Sequence, residues 1–362
     1  MSAHKPHFSV VIPVRNGAEY IGSTVESVLK QTYPQFSLLI LENCSEDETV
    51  SIITAYDDSR IAFFPAVSPL TIEENWGRIL DLELAEYMTI LGHDDLLYPS
   101  FLDEMVALIH ENPEASLYHS HFHLIDEGGK LIRPCKPVPY RETAQDFLRA
   151  RHLFQRDNYG TGYVMRSADY KKVGGVPPFP RLIYADDAAW YSLAQLASKA
   201  CSPHYLFAYR YYEASTARQT DLLTLYTASK DYLKFLSQSD YFRSEANAAL
   251  AYHFVQFNFH GRYHLLLLEL IMSGNVPQLE KYKGIKEQLL TEASVDRLFP
   301  VYDSLSWLLE FLAKSHLPPL LKNLLSRVIE GVRRATRSLR QKVPIWKQIL
   351  LALISSWKSR LV

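Results

Sequence analysis

The 362-residue sequence predicts an α/β fold, a Rossmann-like and mostly parallel sheet flanked by helices, followed by an all-helical C-terminal extension. Three observations carry this reading. Short β-branched and apolar runs alternate with stretches whose apolar residues recur at helix spacing, the pattern of parallel β-α-β crossovers. Polar clusters close the apolar runs, where the carboxyl ends of strands would lie. After about Thr220 strand signals vanish and Leu-rich amphipathic stretches run onward.

Phe8 to Val14 (FSVVIPV) predicts a buried strand ended by the turn Arg15-Asn16-Gly17. Ile21, Val25, Val28 and Leu29 share a helix face, and Tyr33-Pro34 stops that helix. Phe36 to Leu41 predicts a second strand, closed by Glu42-Asn43-Cys44-Ser45. A helix from Ser45 to about Tyr56 follows, with Ser45 as its cap and acids in its first turn. Ile61 to Phe64 predicts a third strand, Asn75 to Glu86 a helix, and Tyr87 to Leu91 a fourth strand running into Gly92-His93-Asp94-Asp95. A helix over Pro99 to Glu111 is next, then strands over Leu117 to Leu124 and Tyr163 to Arg166. Asp186-Asp187 opens a further helix whose apolar face is Trp190, Leu193, Ala194 and Ala197.

Composition narrows the function classes. With 48% hydrophobic and 22% charged residues and a net charge of −2, the chain is globular, with no bulk bias toward nucleic acid. Three scattered cysteines, Cys44, Cys135 and Cys201, argue against a disulfide framework or a zinc site and for a reducing compartment. No secretory leader and no run of ~18 apolar residues is visible, so the expected location is cytoplasmic. Charge is uneven, however. Lys322 to Val362 hold ten Lys/Arg and one Glu, so that a net +9 opposes −11 on the remainder.

The chemistry concentrates at the strand ends, where ligands sit in open α/β sheets. Asp94 and Asp95 are adjacent acids after a buried strand. That placement costs self-repulsion and desolvation, which a hard cation such as Mn²⁺ or Mg²⁺ removes while leaving positions open for phosphate. Glu42 precedes the predicted cap and is not explained by capping, and a carboxylate there can accept a base N–H or ribose hydroxyls. Asp186 and Asp187 at a helix start read equally as dipole-favoured acids or as a general base. His119, His121 and His123 alternate along a strand, more like core histidines than metal ligands. No G-x-G-x-x-G is present, which excludes a dinucleotide dehydrogenase, and a single Gly17 after the first strand argues against a nucleotidyltransferase.

Taken together, Val10 to Asn16, Leu41-Glu42-Asn43-Cys44-Ser45-Glu46-Asp47, Asp94-Asp95 with Leu97-Tyr98-Pro99, Gly160-Thr161-Gly162 with Gly174-Gly175, and Asp187 with Trp190 resemble the family 2 glycosyltransferases of GT-A fold. The resemblance covers about residues 7–216. It implies a GT-A domain over 7–216 and a helical region over 217–362. It also implies an inverting, metal-dependent transfer from a nucleotide-diphosphate sugar, with a UDP-sugar as the expected donor and a glycan or lipid-linked hydroxyl as the acceptor. Asp187, or its neighbour Asp186, would be the base. Asp95 with Asp94 would hold Mn²⁺ or Mg²⁺, and Pro13, Arg15, Asn16, Glu42, Asn75, Asp94 and Arg210 would line the nucleotide sugar. The alternative is an inactive sugar-nucleotide-binding or scaffold protein of the same fold. Departures from the family pattern are Gly92 in place of an acid, Arg78 one turn beyond an arginine usually beside Asn75, and Tyr212 in place of a histidine.

After Pro344, Ile345, Ile349, Leu353, Trp357 and Leu361 form a stripe with basic residues around it. This reads as a peripheral anchor on an anionic membrane surface at the inner face of the cell membrane, with packing on the catalytic domain as the alternative. No nucleic-acid motif accompanies the charge.

Overall fold

The computed structural model describes residues 4–211 and 220–273. In chain order the elements are β1 (Phe8–Val14), α1 (Ile21–Leu29), β2 (Phe36–Glu42), α2 (Thr49–Thr54), β3 (Ile61–Pro65), α3 (Ile72–Gly77), β4 (Tyr87–Ile90), β5 (Leu96–Leu97), α4 (Phe101–Glu111), β6 (Leu117–Ile125), β7 (Leu131–Pro134), β8 (Arg141–Glu142), α5 (Ala144–His152), β9 (Val164–Arg166), α6 (Ser167–Lys172), α7 (Ala185–Leu196), β10 (Lys199–Arg210), α8 (Leu222–Ser237) and α9 (Glu245–Ser273). Among the described residues, packing groups those up to 220 with 228–241 as one unit and 221–227 with 242–273 as another. The expected boundary at 216/217 lies outside the described residues, as do Tyr212 and the basic tail.

One sheet organises the first unit, in the order β3-β2-β1-β4-β9-β6-β10-β5. Its long pairings, β1 with β2 and β4, β2 with β3, and β6 with β10, are parallel. Short antiparallel pairings insert β9 between β4 and β6 and add β5, β7 and β8 at the margins. Every residue of β1 is buried, as a strand covered on both faces requires. The strand order reverses at β1, with β2 on one side and β4 on the other, so a crevice opens between the carboxyl ends of β1 and β4.

Three departures from the sequence expectation bear on the site and the sheet. Helix α2 starts at Thr49, with no side-chain cap, because Ser45 is used elsewhere. Helix α3 starts earlier than Asn75: Thr71 and Glu74 form a capping box, and a 3-10 turn, Arg78–Asp81, ends the helical stretch. The third is β10, unforeseen because Pro203 and His204 interrupt its alternation; its register with β6 shifts between Ser202 and Phe207. In the second unit, α9 buries Ala251, Phe254, Val255 and Phe259. Among the described residues no helix is long and apolar enough to cross a membrane.

Candidate active site

The first wall of the crevice is stitched from polar side chains of the β2–α2 loop. Ser45 Oγ accepts the Asn16 N–H (2.9 Å), Thr49 Oγ1 that of Gly17 (2.7 Å), and Asp47 Oδ2 that of Ala18 (3.0 Å). Asn16, in the left-handed region at φ 50°, returns the link by accepting the Glu46 N–H on Oδ1 at 2.8 Å. Ser45 and Asp47 therefore clamp the loop after β1 instead of capping a helix. Pro13 is buried in β1 in register with Leu41, and Arg15 is exposed, with Nη2 3.7 Å from Glu46. Glu42 is 3% exposed; its Oε1 accepts the Ser45 N–H at 2.6 Å, and Oε2 has no protein partner among the described residues.

Asn75 and Arg78 bond to the strands beside the crevice. Asn75 Nδ2 donates to Leu41 O, and Arg78 donates to Asn75 Oδ1, Glu42 O and Phe64 O. Together they hold down the ends of β2 and β3.

Across the crevice, Asp95 is 1% exposed and Asp94 half-buried. Asp95 Oδ1 accepts the backbone N–H of Arg210 at 2.8 Å, and Thr161 donates its hydroxyl to the same carboxylate. Burial, then the charge of Asp94, pushes the Asp95 carboxyl well above its ordinary range. Gly92 explains how two acids fit: a Cβ there would lie 2.6 Å from Asp95 Oδ2 and 2.9 Å from Asp94 Oδ1. The departure from the family pattern at position 92 thus leaves volume over both carboxylates. That donor set fits one hard divalent cation with several positions left open. No cluster of three or more His, Cys, Asp or Glu occurs among the described residues to close the shell.

Arg210 is 5% exposed. Its Nε donates to Asp94 O and its Nη1 to Asp126 O and Glu127 O, with the guanidinium 4.4 Å from the Tyr20 ring centre. These bonds make it a strut between the Asp94-Asp95 loop and the turn after β6.

The acids of α7 divide differently from the expectation. Asp187 is fully enclosed, its Oδ1 accepting from Arg151 Nε (2.8 Å) and Asn158 Nδ2 (2.7 Å), and its Oδ2 is buried without a partner. Asp186 is half-buried. Burial and the Asp187 charge raise its carboxyl to about 7, and its charge is felt by Tyr159 and Tyr209, the latter also facing Asp94 and Asp95. These two tyrosines stack with centroids 3.6 Å apart. Tyr209 thus feels the charges of Asp95, Asp94 and Asp186 together. Sequence reasoning missed Arg151, Asn158 and Tyr159, and placed Thr161 only within the Gly160-Thr161-Gly162 resemblance. A basic residue in the last turn of a helix reads as a dipole partner, and only three-dimensional proximity reveals the Arg151 ion pair.

The histidines of β6 engage other groups of the protein. His119 stacks on Tyr163 (3.8 Å), His121 Nε2 accepts the Val138 N–H (3.2 Å), and His123 Nδ1 lies 2.8 Å from the Tyr98 hydroxyl.

Residues 9–169 match the family model described as glycosyl transferase family 2. An uncharacterized glycosyltransferase of Rickettsia bellii is 22% identical over 86% of this chain, which spans 44% of that relative's length. The putative teichuronic acid biosynthesis glycosyltransferase TuaG of Bacillus subtilis is 29% identical over 45% of this chain and 67% of its own. The crystal structure of S. aureus TarS 1-349 in complex with UDP-GlcNAc superposes with a TM-score of 0.63 at 16% identity, covering 84% of this chain and 87% of that one, and shares the fold.

Proposed function

We propose that this chain, whose residues 9–169 match the model of glycosyl transferase family 2, is an inverting glycosyltransferase that moves a sugar from a UDP-sugar to an acceptor hydroxyl in cell-surface glycan assembly. One observation carries the reading. A buried acid beside a second acid, under a volume that Gly92 keeps clear, shares a tyrosine wall with Asp186, whose proton affinity is tuned to neutrality. Nucleotide diphosphate and acceptor need those two kinds of carboxylate. TuaG's description supports the cell-surface glycan, and the UDP-GlcNAc complex of TarS supports the donor class.

Asp95 and Asp94 would hold Mn²⁺ or Mg²⁺, which when bound supplies positive charge against the departing diphosphate. The Asn16 loop and Glu42 hold the nucleoside side, with Glu42 Oε2 accepting from the base or ribose. The acceptor hydroxyl gives its proton to the Asp186 carboxylate as its oxygen bonds to the anomeric carbon. The bond from that carbon to the diphosphate oxygen breaks, and UDP leaves with the electron pair. Asp187 does not contact the acceptor but sets the charge around Asp186.

A thermal-shift screen of nucleotide sugars with and without Mn²⁺ tests the proposal. UDP-sugars should raise Tm only when the metal is present. Asp95→Asn should remove the metal-dependent shift, lowering donor affinity at least ~10-fold, while the chain stays folded because one of two repelling acids is gone. A full, metal-dependent shift in that variant overturns the assignment.

A further inference from the structure

Two tryptophans lie among the described residues, and the fold uses them differently. Trp190 is wholly buried in α7, and its indole Nε1 donates to Tyr159 O at 3.1 Å. Trp76, in the last turn of α3, is only half-buried. Among the described residues its ring pairs with no other aromatic ring and its Nε1–H meets no acceptor. An indole is a large apolar face with one donor, and left unpartnered beside a cleft it is suited to a ligand that offers both an apolar face and a hydroxyl.

The Trp76 ring is held between two fixed supports, and both belong to the donor half of the crevice. On one side α3 is tied to the end of β2: Asn75 Nδ2 donates to Leu41 O at 3.3 Å, and Arg78 Nη1 to Glu42 O at 3.1 Å. On the other side the benzo edge of the ring lies against Gly160, where a Cβ would come 3.2 Å from Cη2 and 3.6 Å from Cζ3. Bonds on every side keep Gly160 in place. Tyr159 O, before it, takes the Trp190 indole. Thr161, after it, accepts the Gly92 N–H at 3.2 Å and donates to Asp95, and the Gly162 N–H donates to Ile90 O at 3.2 Å. In the sheet order β2-β1-β4, helix α3 and its indole together bridge from the end of β2 to the loop beside the end of β4, two strand spacings or roughly 10 Å.

We propose that Trp76 receives the sugar ring of the nucleotide-sugar donor on its indole face. This rests on the reading that Glu42 holds the nucleoside and Asp94-Asp95 the diphosphate. Once those two parts are placed, the sugar is the part of the donor still to be held. Trp76 lies against the residue that precedes Thr161, and Thr161 bonds to Asp95. The C–H face of a pyranose packs on an aromatic face, and the Nε1–H is left to meet one of its hydroxyls. An indole fixed in advance by α3 and Gly160 loses little freedom when the sugar arrives, so its contact adds to affinity.

Calorimetric titration with UDP and with UDP-glucose, UDP-galactose and UDP-GlcNAc, all with Mn²⁺, tests this. The quantity read is the ratio of Kd for the tightest-bound UDP-sugar to Kd for UDP, in which nucleoside and phosphate contacts cancel. Trp76→Ala should raise that ratio about 10-fold while Kd for UDP stays within about twofold of the parent. Trp76→Phe, which keeps a ring, should return the ratio to within about threefold of the parent. An unchanged ratio in Trp76→Ala overturns the inference, and means that the indole meets the acceptor or only packs on Gly160. Equal weakening of UDP and the UDP-sugar also overturns it, because Trp76 then supports the nucleoside or the fold. Should Trp76→Ala not fold, Trp76→Leu keeps the apolar volume without the flat face and should raise the ratio in the same direction. A parent that binds no UDP with Mn²⁺ removes the donor-site reading and this inference together, whereas UDP binding with an unmoved ratio removes the role of Trp76 alone.

Discussion

Asp186 shows how one residue couples chemistry to stability. Its folded carboxyl titrates at about 7 against an ordinary 3.8. As pH rises from about 4 to about 7 the unfolded chain has already released this proton and the folded chain has not, so the contribution of this group to stability falls across that window and is gone above it. Asp186→Asn should therefore leave Tm unchanged near pH 4 and raise it at pH 8, while turnover drops ~10²–10⁴-fold. For the parent, turnover should rise with pH through about 7, as the base must be ionised to accept a proton. A variant that loses turnover without gaining stability at pH 8 would show that Asp186 is not the strained acid. Such opposition between activity and stability is the usual mark of a site held against its own electrostatics.

At the scale of elements, the loop between Tyr159 and β9 carries more than its sequence suggests. Gly162 sits at φ +76°, and a Cβ there would lie 2.5 Å from the Phe207 ring, which stacks on Phe122 at 4.7 Å. Gly162→Ala should cost about 2–4 kcal/mol, the sum of overpacking and a left-handed backbone, read by urea unfolding. Thr161, next to it, holds Asp95, so metal-dependent UDP affinity should fall in the same variant; unchanged affinity would mean that the loop and the Asp95 site are independent. The apolar strands β1, β2, β4 and β6 were legible because each is a run too buried to be anything else. β5, β7 and β8 were not, since strands of two to four residues carry no period. Ser45 was misread for a physical reason: an acceptor side chain ahead of a helix fits a cap equally well whether its donor lies in that helix or, as here, in Asn16 of another loop. The strand-end acids could be located from the sequence, but the roles of Asn75, Arg210 and Asp187 could not, because which donor meets which carbonyl or carboxylate is settled by register between distant segments.

For the whole molecule, the opposed charges of the acidic body and the basic residues 322–362 make a prediction that needs no further geometry. An acceptor built on a lipid carrier would be met at a membrane. Each Lys or Arg near an anionic surface contributes ~1 kcal/mol, and the apolar stripe with Trp346 and Trp357 suits the interface. The full chain should co-sediment with anionic vesicles at low salt and detach as ionic strength rises. Deletion of 343–362 should abolish this while sparing donor hydrolysis. A truncated chain that precipitates, together with no vesicle binding by the full chain, would assign the stripe to the protein interior instead.

The hydrogen bond from the Arg210 backbone to Asp95 has a bearing on how this site can vary. Its donor belongs to the main chain, so every residue but proline supplies it. Alanine scanning along β10 would register Arg210 only as a lost strut and would never touch the group that grips the acid. The support of Asp95 is in that sense genetically silent, open to drift in the codon at 210 and exposed only by proline or by replacing the amide with an ester.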